Sequence, residues 1–244
     1  MFERTVTYPA AYTHKEASGD PEILIALSWL TRQEPVGRRI LVLAPLMTTF
    51  EHSEVIRTYG SGLILSSAKN FKSGRPSWQA GPALALWPTT SMTDLLDQHR
   101  GTSALAIVPW GLKEIDVWIR ARRPRDLLGI ADHIDEPLIT DPVVKIALEG
   151  LTTGVNLSSG LSHPSDKARA VQTFRVLHAA GHTWTKTEIH AWSLAHGWNA
   201  HGATELAHYA ERIQQGRTFR TTGDPLRPDI LDIWRTQANS TAPK

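Results

Sequence analysis

The sequence predicts an α/β protein, with a Rossmann-like parallel-sheet domain followed by an all-helical domain that contains a helix-turn-helix. Three observations predict it. Between residues 36 and 131, short continuous apolar runs alternate with helical patterns; strands buried on both faces of a parallel sheet read this way. After about residue 140 no strand pattern remains and apolar residues recur at helical spacing. The stretch "TKTEIHAWSLAHGWNAHGATELAHYAERI", Thr185 to Ile213, reads as helix, four-residue turn containing a glycine, and helix.

Taken in order, residues 1–19 look irregular, and Asp20-Pro21 supplies a cap and an early proline for a helix over about 21–33. "RRILVLAP" (38–45), "SGLILSS" (61–67), "PALALWP" (82–88) and "SALAIVPW" (103–110) are the apolar runs, giving four or five parallel strands. Between them, "TTFEHSEVIRTYG" (48–60) reads as a helix with a threonine cap and a glycine stop, and "TTSMTDLLDQH" and "LKEIDVWIRARRP" read as further helices. The domain boundary falls in "DHIDEPLITD", dividing 1–135 from 140–244. Beyond it, Asp141-Pro142 caps a helix over 141–156, and "SDKARAVQTFRVLHAAG" forms another that stops at Gly181. Thr185 and Glu188 make a capping box, Gly197 and Gly216 end the next two helices, and "PDILDIWRTQ" is the last.

Composition removes several chemistries. The 244-residue chain has no cysteine, so disulfides, thiolate metal sites and cysteine nucleophiles are absent. No apolar window is long enough for a membrane span, and the N-terminus lacks the apolar centre of a signal peptide, so a cytoplasmic location is expected. Arginine outnumbers lysine 18 to 8, which points to a GC-rich bacterial origin. Net charge is +2, and after residue 150 ten Lys and Arg face seven Asp and Glu. That asymmetry permits nucleic-acid binding without arguing for it.

Two groups of residues are candidates for function. The first lies after the predicted strands, where open α/β sheets bind ligands. It comprises Thr48 and Thr49, Ser66 and Lys69, Trp87, Thr89 and Thr90, and Trp110. The tryptophans could stack on a ring or simply roof the sheet, and the hydroxyls with nearby helix amides suit an anion such as phosphate. Helix capping alone also accounts for the hydroxyls. No P-loop, dinucleotide fingerprint or nucleophile elbow occurs.

The second group is expected to meet nucleic acid or a protein partner. It comprises Arg120, Arg122, Arg123 and Arg125 in "IRARRPRD", Lys186, His201, His208 and Arg212 on the paired helices, and Arg217 and Arg220 beyond them. On the second of these helices, Ala203, Leu206, Ala207, Ala210 and Ile213 form the inward stripe, and His201, Glu205, His208 and Arg212 the outward one. A central glutamate with one permanent cation suits phosphate contact poorly and base reading worse. His201, Glu205 and His208 share a face and resemble part of a zinc ligand set, yet the set is incomplete, and neither metal nor cofactor is expected. The sequence thus favours a non-enzymatic nucleic-acid-associated or regulatory accessory protein. The alternatives are an enzyme acting on a nucleotide or phosphorylated substrate at the strand ends, and a structural subunit of a larger assembly. Oligomeric state is not legible.

Overall fold

The structure, a computed structural model, describes residues 8–14, 19–33, 39–129, 137–221 and 226–241. The described residues divide into two compact units, one within 6–134 and the other within 135–244. Segment 130–136, which holds much of the expected boundary, lies outside the described residues, as do 1–7 and 15–18 of the stretch read as irregular.

The first unit is a three-layer α/β structure. Its strands are β1 (Ala10–Tyr12), β2 (Ile40–Ala44), β3 (Leu63–Ser67), β4 (Gly81–Leu86), β5 (Thr102–Val108) and β6 (Arg125–Asp126). They form one sheet in the order β3-β2-β4-β5-β1-β6, and every pairing is parallel. Alternation along each strand splits the apolar residues between two cores. Val42, Ala44, Leu84, Leu86, Ala104, Ala106 and Val108 face α1 (Asp20–Gln33) and α2 (Glu54–Tyr59). Leu41, Leu43, Ala83, Ala85, Leu105 and Ile107 face the other layer, α3 (Ala68–Lys72), α4 (Thr90–Asp97) and α5 (Asp116–Arg122). Continuous apolar runs are therefore required, since each side chain meets a helix layer whichever way it points.

The sheet corrects the expectation of four or five strands, because β1 and β6 come from stretches read as irregular and as helix end. Both are too short to show a period: three residues holding two alanines, and two polar residues. The helix expected over 48–60 is also broken. A 3₁₀ turn (Met47–His52) gives way to α2, which Ser53 caps by accepting the Ile56 amide at 3.2 Å. Thr48 and Thr49 therefore cap nothing there. At α1 the carbonyl of Gly19 accepts the first helical bond, from Ile23 at 3.1 Å. Asp20 is freed to reach across, accepting from the Ser53 hydroxyl and, at 3.0 Å, from the Glu54 amide.

Among the described residues, the second unit contains helices and no strand: α6 (Pro142–Gly154), α7 (Pro164–Ala179), α8 (Lys186–Ala195), α9 (Ala200–Gln214) and α10 (Ile230–Thr241). Asp141 caps α6 through the Val143 and Val144 amides, and the Thr185–Glu188 capping box opens α8. Gly181, Gly197 and Gly216 follow α7, α8 and α9 with φ of +84°, +84° and +76°. The turn between α8 and α9 is tied to the loop between α6 and α7. Asn199 caps α9 at Gly202 and donates to the carbonyls of Leu157 and Ser158, and buried Trp198 donates to Thr152 at 3.0 Å. No helix of the described residues is long and apolar enough to cross a membrane.

Candidate functional site

The C-terminal edge of the sheet opens into a cleft of about 340 Å³, lined from four strand ends and the start of α1. His14 follows β1, and Thr49, His52 and Ser53 follow β2. Trp87 follows β4, while Val108, Pro109 and Trp110 end β5, and Gly19, Asp20, Glu22 and Ile23 complete the wall. The cleft arises where connections diverge: the chain leaves β1 and β2 toward the α1–α2 layer, and leaves β4 and β5 toward the opposite one. Divergence of this kind opens the crevice in which doubly wound sheets hold ligands.

Trp87 and Trp110 stack, with ring centroids 5.1 Å apart and planes 26° from parallel. Trp87 adopts φ of +46°, a left-handed backbone that a bulky residue enters at a cost of roughly 1–3 kcal/mol. Two contacts hold it there: its amide donates to the Val108 carbonyl at 2.7 Å and its ring lies on Trp110, while a Cβ added at Gly19 would stand 3.6 Å from that ring. Trp110 is 55% exposed. Leu46, Met47 and Leu112, also exposed, stand in the same post-strand loops, and exposed Leu24 lies on α1. The exposed large apolar side chains of the described residues thus lie in loops after strand ends or on α1.

Also on the cleft lining, His14 places its Nε2 2.7 Å from Asp126 Oδ2, with Asp126 nearly closed to water. The Leu128 amide donates to the other Asp126 oxygen at 2.9 Å. Strand pairing creates this contact, since β1 and β6 are neighbours although 112 residues separate the two side chains. A carboxyl group that fixes an imidazole's orientation is a recurrent arrangement for moving a proton or holding a donor in place.

Of the residues expected at the strand ends, the structure brings Thr49, Trp87 and Trp110 into the cleft and leaves out the others. Thr48 is exposed beside it. Ser66 is buried, with its hydroxyl donating to Arg75 and Ser67 carbonyls at 3.1 Å each. Lys69 is exposed on α3, after the edge strand β3. Thr89 and Thr90 open α4, where Thr89 pairs its hydroxyl with Ser91. Most of the hydroxyls read as suiting phosphate, and the lysine, thus lie outside the lining of the cleft. His14, Asp20, Glu22, His52, Ser53 and Asp126 were not anticipated. One signal for them exists in the sequence: polar residues directly after a short strand, as in "AAYTHK".

The basic residues separate. Arg122 is taken up by a buried ion pair with Asp97, and Arg120 pairs with Asp116 one turn away. Arg123, in a left-handed conformation, ends α5, and Arg125 lies in β6; both are exposed. "IRARRPRD" is therefore not one helical basic face. In the helical unit Lys186 pairs with Glu211 at 2.9 Å, and His201 with Glu205 at 3.6 Å. His208 is exposed, and Arg212 is half-buried. Arg217 and Arg220 are exposed after α9. His182, directly after Gly181, pairs with Asp141 at 2.7 Å. Burial alone would raise the Asp141 carboxyl, but hydrogen bonds from His182 and the Val144 and Val143 amides outweigh it and hold the group below its usual range. Among the described residues no three His, Asp or Glu side chains converge on a metal-binding point.

Residues 140–235 are similar to a family described as a domain of unknown function (DUF1889). No curated protein and no solved structure matches the chain.

Proposed function

We propose that this is a regulatory or accessory protein. Its α/β unit binds a small molecule with a flat aromatic ring at the strand ends, and its helical unit contacts nucleic acid or a protein partner. The observation that carries the reading is the Trp87–Trp110 stack on the cleft wall, with Trp87 held in a strained backbone. Strain of this kind persists where surrounding contacts over-determine it, and it gathers at ligand sites. The cleft's volume falls within the range of small-molecule sites. The sheet supports a doubly wound, Rossmann-like reading: with β1 set aside, its order is that of the flavodoxin-like variant, whose ligands bind at this edge.

For the helical unit, α8, the Gly197 turn and α9 support a helix-turn-helix reading. Of the cations read as contacting a partner, Arg217 and Arg220 are exposed, while Lys186 pairs with Glu211 and Glu205 sits mid-stripe, so phosphate contact is favoured over base reading. An enzyme is a second reading, supported by His14 on the cleft wall with Asp126 paired to it.

A thermal-shift panel of nucleosides and aromatic amines tests the binding reading, since a ligand of the folded state raises the melting temperature. The expected result is stabilisation by some aromatic compounds that Trp110→Ala abolishes. No stabilisation by any aromatic compound overturns it.

A further inference from the structure

The lining of the strand-end cleft also specifies charge. We propose that the cleft selects a flat aromatic molecule bearing a positive charge, such as an N-alkylated or protonated heterocycle. This rests on the reading that the cleft binds an aromatic ring.

Three features converge. First, the described lining residues include two carboxyl groups, Asp20 and Glu22, and no lysine or arginine. A third carboxyl group, Asp126, stands directly behind His14. A phosphate or carboxylate ligand would be met by acidic groups, without the guanidinium or ammonium that anion sites use. Second, the N-terminus of α1 would by itself favour an anion. Asp20 and Glu22 occupy its first turn and already answer that partial charge. Asp20 likewise takes the Glu54 amide at the start of α2. The helix starts that could have cradled a phosphate are thus occupied by the protein's own carboxyl groups. Third, the stacked tryptophans offer π faces, whose negative quadrupole attracts a cation and gives nothing to an anion. The apolar remainder, Ile23, Val108 and Pro109, suits the flat body of the ligand.

The test compares three bicyclic probes of one shape by isothermal titration of the full chain at pH 8. N-methylquinolinium is the cation, quinoline the neutral ring, and 2-naphthoate the anion. The proposal expects N-methylquinolinium to bind at least about tenfold more tightly than either of the others. It also expects Asp20→Asn, checked for folding by circular dichroism, to shrink that preference without abolishing binding of quinoline. Equal affinity for all three overturns the charge proposal and leaves aromatic binding standing. Tightest binding of 2-naphthoate overturns it as well. No binding of any probe overturns this proposal together with the reading on which it rests. The probe comparison in the unaltered protein stands whether or not the variant folds.

Discussion

Asp97 and Arg122 hold each other inside the α/β unit, with the arginine's Nε and Nη2 lying 2.9 and 2.6 Å from the two carboxyl oxygens. Their side chains are 3% and 11% exposed. Trp118 donates to the same carboxyl group at 3.2 Å, and the Tyr8 hydroxyl donates to it as well. Burial, and after it the charge of Asp97, drives the Tyr8 hydroxyl well above the usual tyrosine range. Breaking one side of a buried pair leaves the other charge stranded, at a cost of about 3–5 kcal/mol. Arg122→Ala is therefore expected to lower stability on that order in urea unfolding, whereas Arg125→Ala, at an exposed position, changes it by less than about 0.5 kcal/mol. Equal effects of the two substitutions would refute this assignment.

Asp94 lies one turn from Asp97 in α4, and its carboxyl is pushed up to about 6 by burial first and by the charge of Asp97 second. The native state thus holds this proton more tightly than the unfolded chain. The favourable contribution is complete below the ordinary value of 3.8 and is lost as pH rises through about 6. Asp94→Asn is expected to stabilise the protein at pH 7.5 by about 1–2 kcal/mol, with the gain fading toward pH 4. Melting temperatures of both proteins across that interval check it. A variant that is less stable at pH 7.5, or a gap independent of pH, contradicts it.

Gly202 in α9 meets Gly160 backbone to backbone, and a Cβ built on Gly202 would stand 2.8 Å from the Gly160 Cα. Alanine normally gains up to about 1 kcal/mol over glycine inside a helix. Here overpacking, at about 1–3 kcal/mol, outweighs that gain. Gly202→Ala is accordingly expected to destabilise the helical unit. A raised melting temperature would show that the loop between α6 and α7 yields.

β2 to β5 are legible because "ILVLA", "LILSS", "GPALAL" and "TSALAIV" are largely apolar runs packed between helix layers, and caps such as Asp141 and Thr185 announce their helices. β1 and β6 are not legible, since three and two residues carry no period and gain their strand identity only from the neighbours they pair with. For the same reason the His14–Asp126 pair is invisible in sequence: it depends on register between strands more than a hundred residues apart. Trp87 and Trp110 are legible by position at strand ends, but their stacking and the left-handed backbone of Trp87 are not. Arginine clusters mislead because adjacent residues diverge where α5 ends, as Arg122 turns inward and Arg123 outward.

If the helical unit meets nucleic acid, Arg217 and Arg220 carry the contact through phosphates. Affinity is then expected to fall steeply with salt and to be alike for unrelated duplexes, because released counterions supply it. Replacing both arginines by alanine should weaken binding to each duplex equally and flatten the salt dependence by about two counterions. Fluorescence anisotropy over a salt series measures it. Strong preference for one duplex, lost in His201→Ala, would instead show base reading by α9.

The most direct measurement of the central claim is a titration of ¹⁵N-labelled protein with N-methylquinolinium, followed through the indole N–H signals of its nine tryptophans. The account predicts that the Trp87 and Trp110 signals, assigned by single substitution, move together and saturate, while those of Trp184, Trp192, Trp198 and Trp234 in the helical unit stay in place. Unmoved Trp87 and Trp110 signals, or shifts confined to the helical unit, would contradict it.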